Sequence, residues 1–231
     1  MLKNTYNKEL KTMGLVLRRT NYGEADRILN IITPFGKVSA MARGVRKEKS
    51  KLAGGVELLT LSDYVIHFGK SEIGVVTSVR MVKYYGELLK KYDLMEYVAM
   101  ILKKINQASE NSDSSDFFGI AKQCLTALEN GMQPEVVEAW FTLNLKRAMG
   151  EQVNVYRDVA GEKLVSTEQY VWDSMERGFS KNERGEFGAN EIKLMRLMLT
   201  TDLNVIGRVK TDGMTLPRVC GLCKMNNANV L

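Results

Sequence analysis

Residues 12–45 read TMGLVLRRTNYGEADRILNIITPFGKVSAMARGV, and the turns within this stretch decide the fold of the first third of the chain. Two runs rich in β-branched and aliphatic residues, TMGLVLRRT and DRILNIIT, are separated by the turn-prone residues 21–23. The second run stops at residues 33–36, where Pro34 fixes φ and Gly36 tolerates positive φ. The next run, KVSAMARGV, alternates in the way expected of a half-buried strand. The stretch therefore predicts three strands joined by tight turns.

Two further runs complete this region. VELLTLSDYVIHF and EIGVVTSVRMV are separated by residues 68–71, whose Gly-Lys-Ser sequence is typical of a hairpin connection. Five strands in about 70 residues, with no helix long enough for a parallel crossover, favour a small closed β-barrel.

The hydrophobic period changes at Tyr84. Helical spacing predicts helices within residues 86–105 and 117–128, a third that starts near Pro134, and a last one over residues 189–200. Residues 151–187 are irregular and rich in glycine and charge, with one short helix predicted at residues 166–177. We therefore predict an α+β protein with a barrel domain over residues 1–83 and a mostly helical domain over residues 84–231.

Positive charge is concentrated in the barrel region. Residues 1–85 hold 15 Lys and Arg against 7 Asp and Glu, whereas the remaining residues hold 18 against 20. A one-sided field of this kind attracts polyanions such as nucleic acids or acidic membrane surfaces. The densest part is the nine-residue run from Arg43 to Lys51, which has five basic residues and one acidic residue.

Three interpretations of this run are open. It is a solvated loop, a membrane-attachment segment or a nucleic-acid-binding segment. Gly44, Ser50, Gly54 and Gly55 offer no apolar face beside the charges, which disfavours the membrane. Nucleic acid is favoured because the run joins strands of a small barrel, a fold that binds single strands through its loops and sheet face. Further basic residues lie in the same third of the chain: Arg18, Arg19, Arg27, Lys37, Lys70, Arg80 and Lys83.

Signatures of enzymes are scarce. The chain has no Gly-x-x-x-x-Gly-Lys-Ser/Thr loop for nucleotide phosphates. His67 is the only histidine, and no motif places a nucleophile beside it. We expect Glu24 and Asp26 to form local salt bridges with Arg27 or Arg19 rather than to act as an acid and base pair. We therefore predict no catalytic residue and no enzymatic activity.

The three cysteines also have a structural interpretation. Cys124 falls within a predicted helix and is expected in the core, while Cys220 and Cys223 supply only half of a four-ligand zinc site. We predict no metal ion and no cofactor. No run approaches 18 apolar residues, and the start lacks a signal-peptide pattern, so we expect a cytoplasmic location.

Aromatic residues in or beside the barrel are candidates for stacking on bases, although most are expected in the core. They are Phe35, Tyr64, Phe68, Tyr84 and Tyr85.

Residues 14–59 resemble the amino-terminal barrel of the bacterial RecO family of DNA repair proteins. The resemblance extends more loosely over residues 10–210. It is carried by three motifs: Gly23-Glu24-x-Asp26, Thr33-Pro34-x-Gly36-Lys37 and Ala42-Arg43-Gly44-Val45-Arg46.

The resemblance implies an OB-fold, a helical domain and a role in recombinational repair. Family members bind single- and double-stranded DNA, anneal complementary strands, and help RecA replace single-strand-binding protein (SSB) together with RecR. The implied partners are therefore DNA, RecR, the acidic carboxyl-terminal tail of SSB and, functionally, RecA. The implied location is the cytoplasm, in association with the nucleoid.

The predicted DNA contacts come from two sources. Five match the family's basic segment, and four are basic residues of the first three predicted strands. Many members of the family also bind zinc through two cysteine pairs in the middle segment, but residues 151–187 contain no cysteine here. The predicted contacts are Arg18, Arg19, Arg27, Lys37, Arg43, Arg46, Lys47, Lys49 and Lys51.

Two alternatives stay open from the sequence. The first is an OB-fold module that binds RNA, which would prefer RNA strongly over DNA. The second is a non-catalytic protein adaptor, whose basic surface would bind acidic partners and would not bind oligonucleotides at low salt.

Overall fold

The computed structural model describes residues 9–112 and 114–228. The five predicted strands are confirmed, with the first longer than expected and the fourth shorter. Residues 43–59, between the third and fourth strands, contain only a short 3-10 helix, Ala53–Gly55. The strands are β1 (Glu9–Tyr22), β2 (Asp26–Thr33), β3 (Gly36–Ala42), β4 (Thr60–His67) and β5 (Gly74–Tyr84).

These strands close into a barrel in the order β1-β2-β3-β5-β4. Neighbouring strands are antiparallel, except that β3 and β5 run parallel and pair at Ala40 with Gly74 and at Met41 with Val75. This is the five-stranded OB-fold, so the predicted fold class is confirmed.

The barrel interior is packed closely around Tyr64. A Cβ atom at Gly14 would lie 2.5 Å from Cγ2 of Ile31 and 3.2 Å from the Tyr64 ring, so only glycine fits there. The Tyr64 hydroxyl donates a hydrogen bond to the Gly55 carbonyl at 2.9 Å. Burial raises the pKa of Tyr64, which keeps the hydroxyl protonated as a donor.

Two helices cover part of the barrel's outer face. After the 3-10 helix Gly86–Lys90 come α1 (Tyr92–Asn111) and α2 (Asp116–Glu129). Leu15 and Ile32 are cross-strand partners that are fully buried but lie outside the barrel's core cluster, because the helices contact this part of β1 and β2. The first compact unit therefore extends to Glu129, while the domain boundary after residue 83 stays a prediction.

The second compact unit starts at Asn130. Its predicted helices near Pro134 and over residues 189–200 are confirmed, and two more helices follow them. The elements are α3 (Pro134–Ala148), β6 (Tyr170–Asp173), β7 (Gly178–Lys181), α4 (Ala189–Thr200), α5 (Leu203–Ile206) and α6 (Thr215–Ala228).

The helix predicted at residues 166–177 is wrong, because this segment forms half of the β6–β7 hairpin. The carboxylate of Asp173 accepts hydrogen bonds from the backbone N–H groups of Met175 and Glu176, which turns the chain after β6. Arg177 then adopts a φ of 52° in the same turn. None of the helices that the structure describes is long and apolar enough to cross a membrane.

Candidate nucleic-acid interface

The basic loop, residues 43–51, is fixed at its start to the turn between β1 and β2. The Gly44 N–H donates to the Asp26 carboxylate at 2.7 Å, and the Arg46 N–H donates to the Ala25 carbonyl at 2.9 Å. Gly44 has a φ of 62°, a conformation in which glycine is favoured. The Arg46 guanidinium also donates to the Gly23 carbonyl. These contacts hold the loop against the turn.

The segment that follows the loop is fixed in the barrel. Leu52 and Ala53 pack against the barrel core. The Gly55 carbonyl accepts hydrogen bonds from the hydroxyls of Ser62 and Tyr64 at 2.8 and 2.9 Å. Because both ends are anchored, the middle of the loop projects from a fixed base.

Four basic side chains of this loop are exposed to solvent, and within residues 9–112 and 114–228 none of them has an ion-pair or hydrogen-bond partner. The fifth, Arg46, is exposed but is held by Gly23. Four unneutralised cations in nine residues create a strongly positive surface. We refer to Arg43, Lys47, Lys49 and Lys51 as the loop cations.

Two predicted contacts, Arg19 and Arg27, lie at the base of the loop but are paired with Glu57. The Arg27–Glu57 distance is 2.6 Å. Burial lowers the pKa of Arg27, as do the neighbouring charges of Arg19 and Arg46. The expectation that Glu24 or Asp26 would pair with these arginines is wrong, since Glu57 occupies that role and Asp26 holds Gly44.

Lys37 is also paired. Its Nζ atom lies 3.0 Å from the Glu110 carboxylate and donates to the Asn106 carbonyl at 3.2 Å, and its side chain is only 13% exposed. The hydrogen bond and charge of Lys37 lower the pKa of Glu110, and the charge of Arg18 adds to the effect. Arg18 is exposed beside α1 and has no ion pair with a described residue. Lys37 is therefore the least available of the predicted contacts.

The outer sheet face beside the loop is open. Directly opposite residues share a face, so Thr20, Ile28, Met41 and Val75 form one row across β1, β2, β3 and β5. Thr20 is exposed, and the other three are partly exposed. Tyr22, next on this face of β1, is 54% exposed.

Tyr22 was not among the aromatic residues predicted to stack on bases. Of those five, Tyr64 and Tyr85 are buried, and Phe68 packs against the barrel core. Phe35 and Tyr84 are about half exposed. Phe35 lies in the β2–β3 turn, at the opposite end of β2 and β3 from the loop, whereas Tyr84 is the last residue of β5 and lines a pocket together with Arg19 and Glu57. Arg18–Tyr22 are all exposed, so alternation along β1 does not mark Tyr22, and the polar residues that precede it are the signal that the sequence offered.

No zinc site of the family type fits the middle segment, since residues 151–187 contain neither cysteine nor histidine. Ring contacts of Phe179 with Trp172 and Phe187 hold the hairpin there. Cys220 and Cys223 lie on α6, and burial raises the pKa of Cys220 to about 11. The described residues include no group of three or more His, Cys, Asp or Glu that could hold a metal ion.

Comparison with known proteins agrees with this geometry. Residues 8–85 match the family model described as the N-terminal domain of recombination protein O. Over 214 residues the chain is 29% identical to the DNA repair protein RecO of Bacillus mycoides, which covers 89% of this chain and 85% of the relative. The RecO proteins of Bacillus cytotoxicus and Bacillus cereus are each 28% identical over the same shares. The resemblance to the RecO family is confirmed.

Proposed function

We propose that this protein is a DNA-binding recombination mediator that acts in repair without catalysing a covalent reaction. It binds single- and double-stranded DNA, anneals complementary strands, and assists RecA loading on SSB-coated DNA together with RecR. Its place of action is the cytoplasm, in association with the nucleoid. The observation that carries the proposal is the anchored basic loop, whose four loop cations are exposed and have no partner among the described residues.

The loop cations act on the phosphates of the DNA backbone. Each contact releases condensed counterions, which supplies affinity without regard to sequence. Neutralised strands repel each other less, so two complementary strands bound close together can pair. Annealing in this scheme needs a positive surface of fixed shape, and no acid, base or nucleophile.

The predicted contacts divide according to their neighbours. Arg46 orients the loop through Gly23 and presents its remaining donors beside the loop cations. Arg19 and Arg27 share Glu57, and Lys37 is paired with Glu110, so these three contribute less to phosphate binding. Arg18 is exposed and extends the positive surface along β1.

The protein partners are proposed on the family resemblance. RecR and the acidic tail of SSB are the expected partners, and the helical domain predicted over residues 84–231 is the proposed location of the SSB site. The two alternative functions differ in nucleic-acid preference: an RNA module would bind RNA far more tightly than DNA, and an adaptor would bind neither.

Annealing of complementary oligonucleotides, with and without SSB, tests the proposal. We expect the wild-type protein to accelerate annealing on both naked and SSB-coated strands. Replacing the four loop cations with alanine should remove the acceleration. The matched control changes four exposed cations of the second unit to alanine and should anneal naked strands as the wild type does: Lys163, Arg184, Lys193 and Lys210. Equal activity of both variants would contradict the role of the loop, and inactivity of the wild type would contradict the function.

A further inference from the structure

Phosphate contacts alone do not explain how a site would distinguish single strands from duplex, because both present the same backbone groups. The open sheet face beside the loop offers a second kind of contact. It combines the exposed Tyr22 ring with the partly exposed apolar side chains of Ile28 and Met41. An aromatic ring on an apolar face that is bordered by cations has the chemistry of a platform for unpaired bases.

We propose that this open face binds unpaired bases, with Tyr22 as the stacking residue, and so gives the protein a preference for single strands over duplex. The inference rests on the proposed function, because it gives a binding site to the bases of the same DNA strand whose phosphates the loop binds. It adds a recognition element that the charge pattern does not contain.

The backbone places Tyr22 next to the loop. Tyr22 lies opposite Asp26 in the β1–β2 register, and the Asp26 carboxylate holds the N–H of Gly44. Arg43 and Gly44 directly follow Ala42, the last paired residue of β3. Because Asp26 joins the loop to the strand end that carries Tyr22, the ring can contact a base while the loop contacts a phosphate nearby in the same strand.

The charges around the face set the orientation of the strand. The carboxylates of Glu24 and Asp26 lie in or beside the β1–β2 turn and repel phosphates, whereas the loop cations attract them. The backbone of a bound strand therefore lies along the loop, and its bases turn toward the sheet. In duplex DNA the bases are already paired and stacked, so the ring has no base face to contact.

The test is a double-mutant cycle that changes the protein and the DNA separately and together. DNA affinity is measured by fluorescence anisotropy at about 50 mM salt. One change is Tyr22→Ala in the protein, and the other replaces the bases of a strand of about 16 nucleotides with abasic sites. We expect Tyr22→Ala to weaken binding to the normal strand by about fivefold or more, the lower range of base stacking on an aromatic ring. Binding to the abasic strand and to duplex should stay unchanged.

Two further variants separate stacking from folding. Tyr22→Phe keeps the ring and should keep the affinity for the single strand. Phe35→Ala removes an aromatic of similar exposure, 51%, from the β2–β3 turn at the opposite end of these strands, and should leave binding unchanged.

Each outcome decides something. Equal losses for normal and abasic strands, or no loss on either, would overturn the stacking role while leaving the phosphate site intact. Failure of the wild type to bind any of the three DNAs would overturn the proposed function itself.

Discussion

Basic side chains at the two ends of one barrel face differ in whether an acidic residue pairs with them. At the end covered by α1, Lys37 is largely buried and paired with Glu110. At the open end, Arg43 and the rest of the basic loop meet no acidic partner among the described residues. The sequence has basic residues at both ends. A count of positive charges therefore measures the field of a region, whereas binding depends on which charges lack a local partner.

The base of the loop is an intermediate case. Arg19 and Arg27 lie close to the loop cations, but Glu57, which follows the loop in sequence, pairs with both. A carboxylate in this position neutralises about half of their charge toward a ligand and ties the loop to β1 and β2. The comparison therefore has three classes of cation: buried and paired, shared, and exposed.

The largest effect is expected from reversing charge at the open end. Arg43→Glu, Lys47→Glu and Lys49→Glu together should lower DNA affinity on the order of 10³-fold or more at about 50 mM salt, because several phosphate contacts become repulsions. Equilibrium binding to a labelled oligonucleotide measures the loss. The same reversal at Lys163, Arg184 and Lys193 is the control, and a comparable loss there would show that net charge alone determines binding.

A smaller effect is expected at the attachment of the loop. Asp26→Ala removes the acceptor of the Gly44 N–H and should lower the free energy of unfolding by about 1.5–3 kcal/mol, the range for hydrogen bonds to charged groups. Chemical denaturation measures the change. Asp26→Asn retains an acceptor oxygen and should recover most of the stability; an equal loss in both variants would mean that the charge of Asp26, not its hydrogen bond, holds the loop.

A substitution at Glu57 tests the two arginines, Arg19 and Arg27, that share this carboxylate. Glu57→Gln releases Arg19 and Arg27, so DNA affinity should rise about fourfold at about 0.15 M salt for each arginine that reaches a phosphate. Stability should fall by up to about 1 kcal/mol, as for other partly exposed pairs. A titration of labelled single strand reports the affinity, and an unchanged or lower value would place both arginines outside the DNA path.

The smallest effect on binding is expected at the covered end. Lys37→Met should leave DNA affinity within about twofold of the wild type, because its charge is already paired. The loss of the pair should instead change how stability depends on pH. Because the folded-state pKa of Glu110 is lowered, the pair stabilises the fold at pH values above the ordinary pKa of 4.5 and loses this effect as the pH falls through the folded-state pKa. Unfolding curves across this range should lose that step in the variant, and a large loss of DNA affinity would move Lys37 into the binding site.

Much of the barrel was predictable because its signals are local. The turn signals at residues 21–23 and 33–36 and the alternation along β3 depend on neighbouring residues. The second turn forms where it was predicted, whereas the first forms at residues 23–25, because Asn21 and Tyr22 still pair with β2. The β6–β7 hairpin was missed because an aspartate turn and contacts between Trp172 and Phe179 outweigh a short helical pattern. Such contacts join residues whose approach the sequence does not reveal.

The candidate site was predictable only in part for the same reason. The density of charge in residues 43–51 identifies the loop, but the pairing of Lys37 with Glu110 joins residues 73 positions apart. The role of Glu57 depends on the closed barrel, and the exposure of Tyr22 depends on where the helices stop covering the sheet. Local sequence patterns show where charges are, and tertiary structure decides which of them remain available.

The most direct test of the account is the salt dependence of DNA binding. For the wild type, log K against log salt should have a slope of about −3 on single strands, the value for roughly four phosphate contacts. The variant in which alanine replaces all four loop cations should have a slope much closer to zero, set by the contacts that remain to Arg46 and Arg18, and Lys37→Met should keep the wild-type slope. A slope that is the same in the wild type and the loop variant would contradict the claim that the exposed loop holds the DNA backbone.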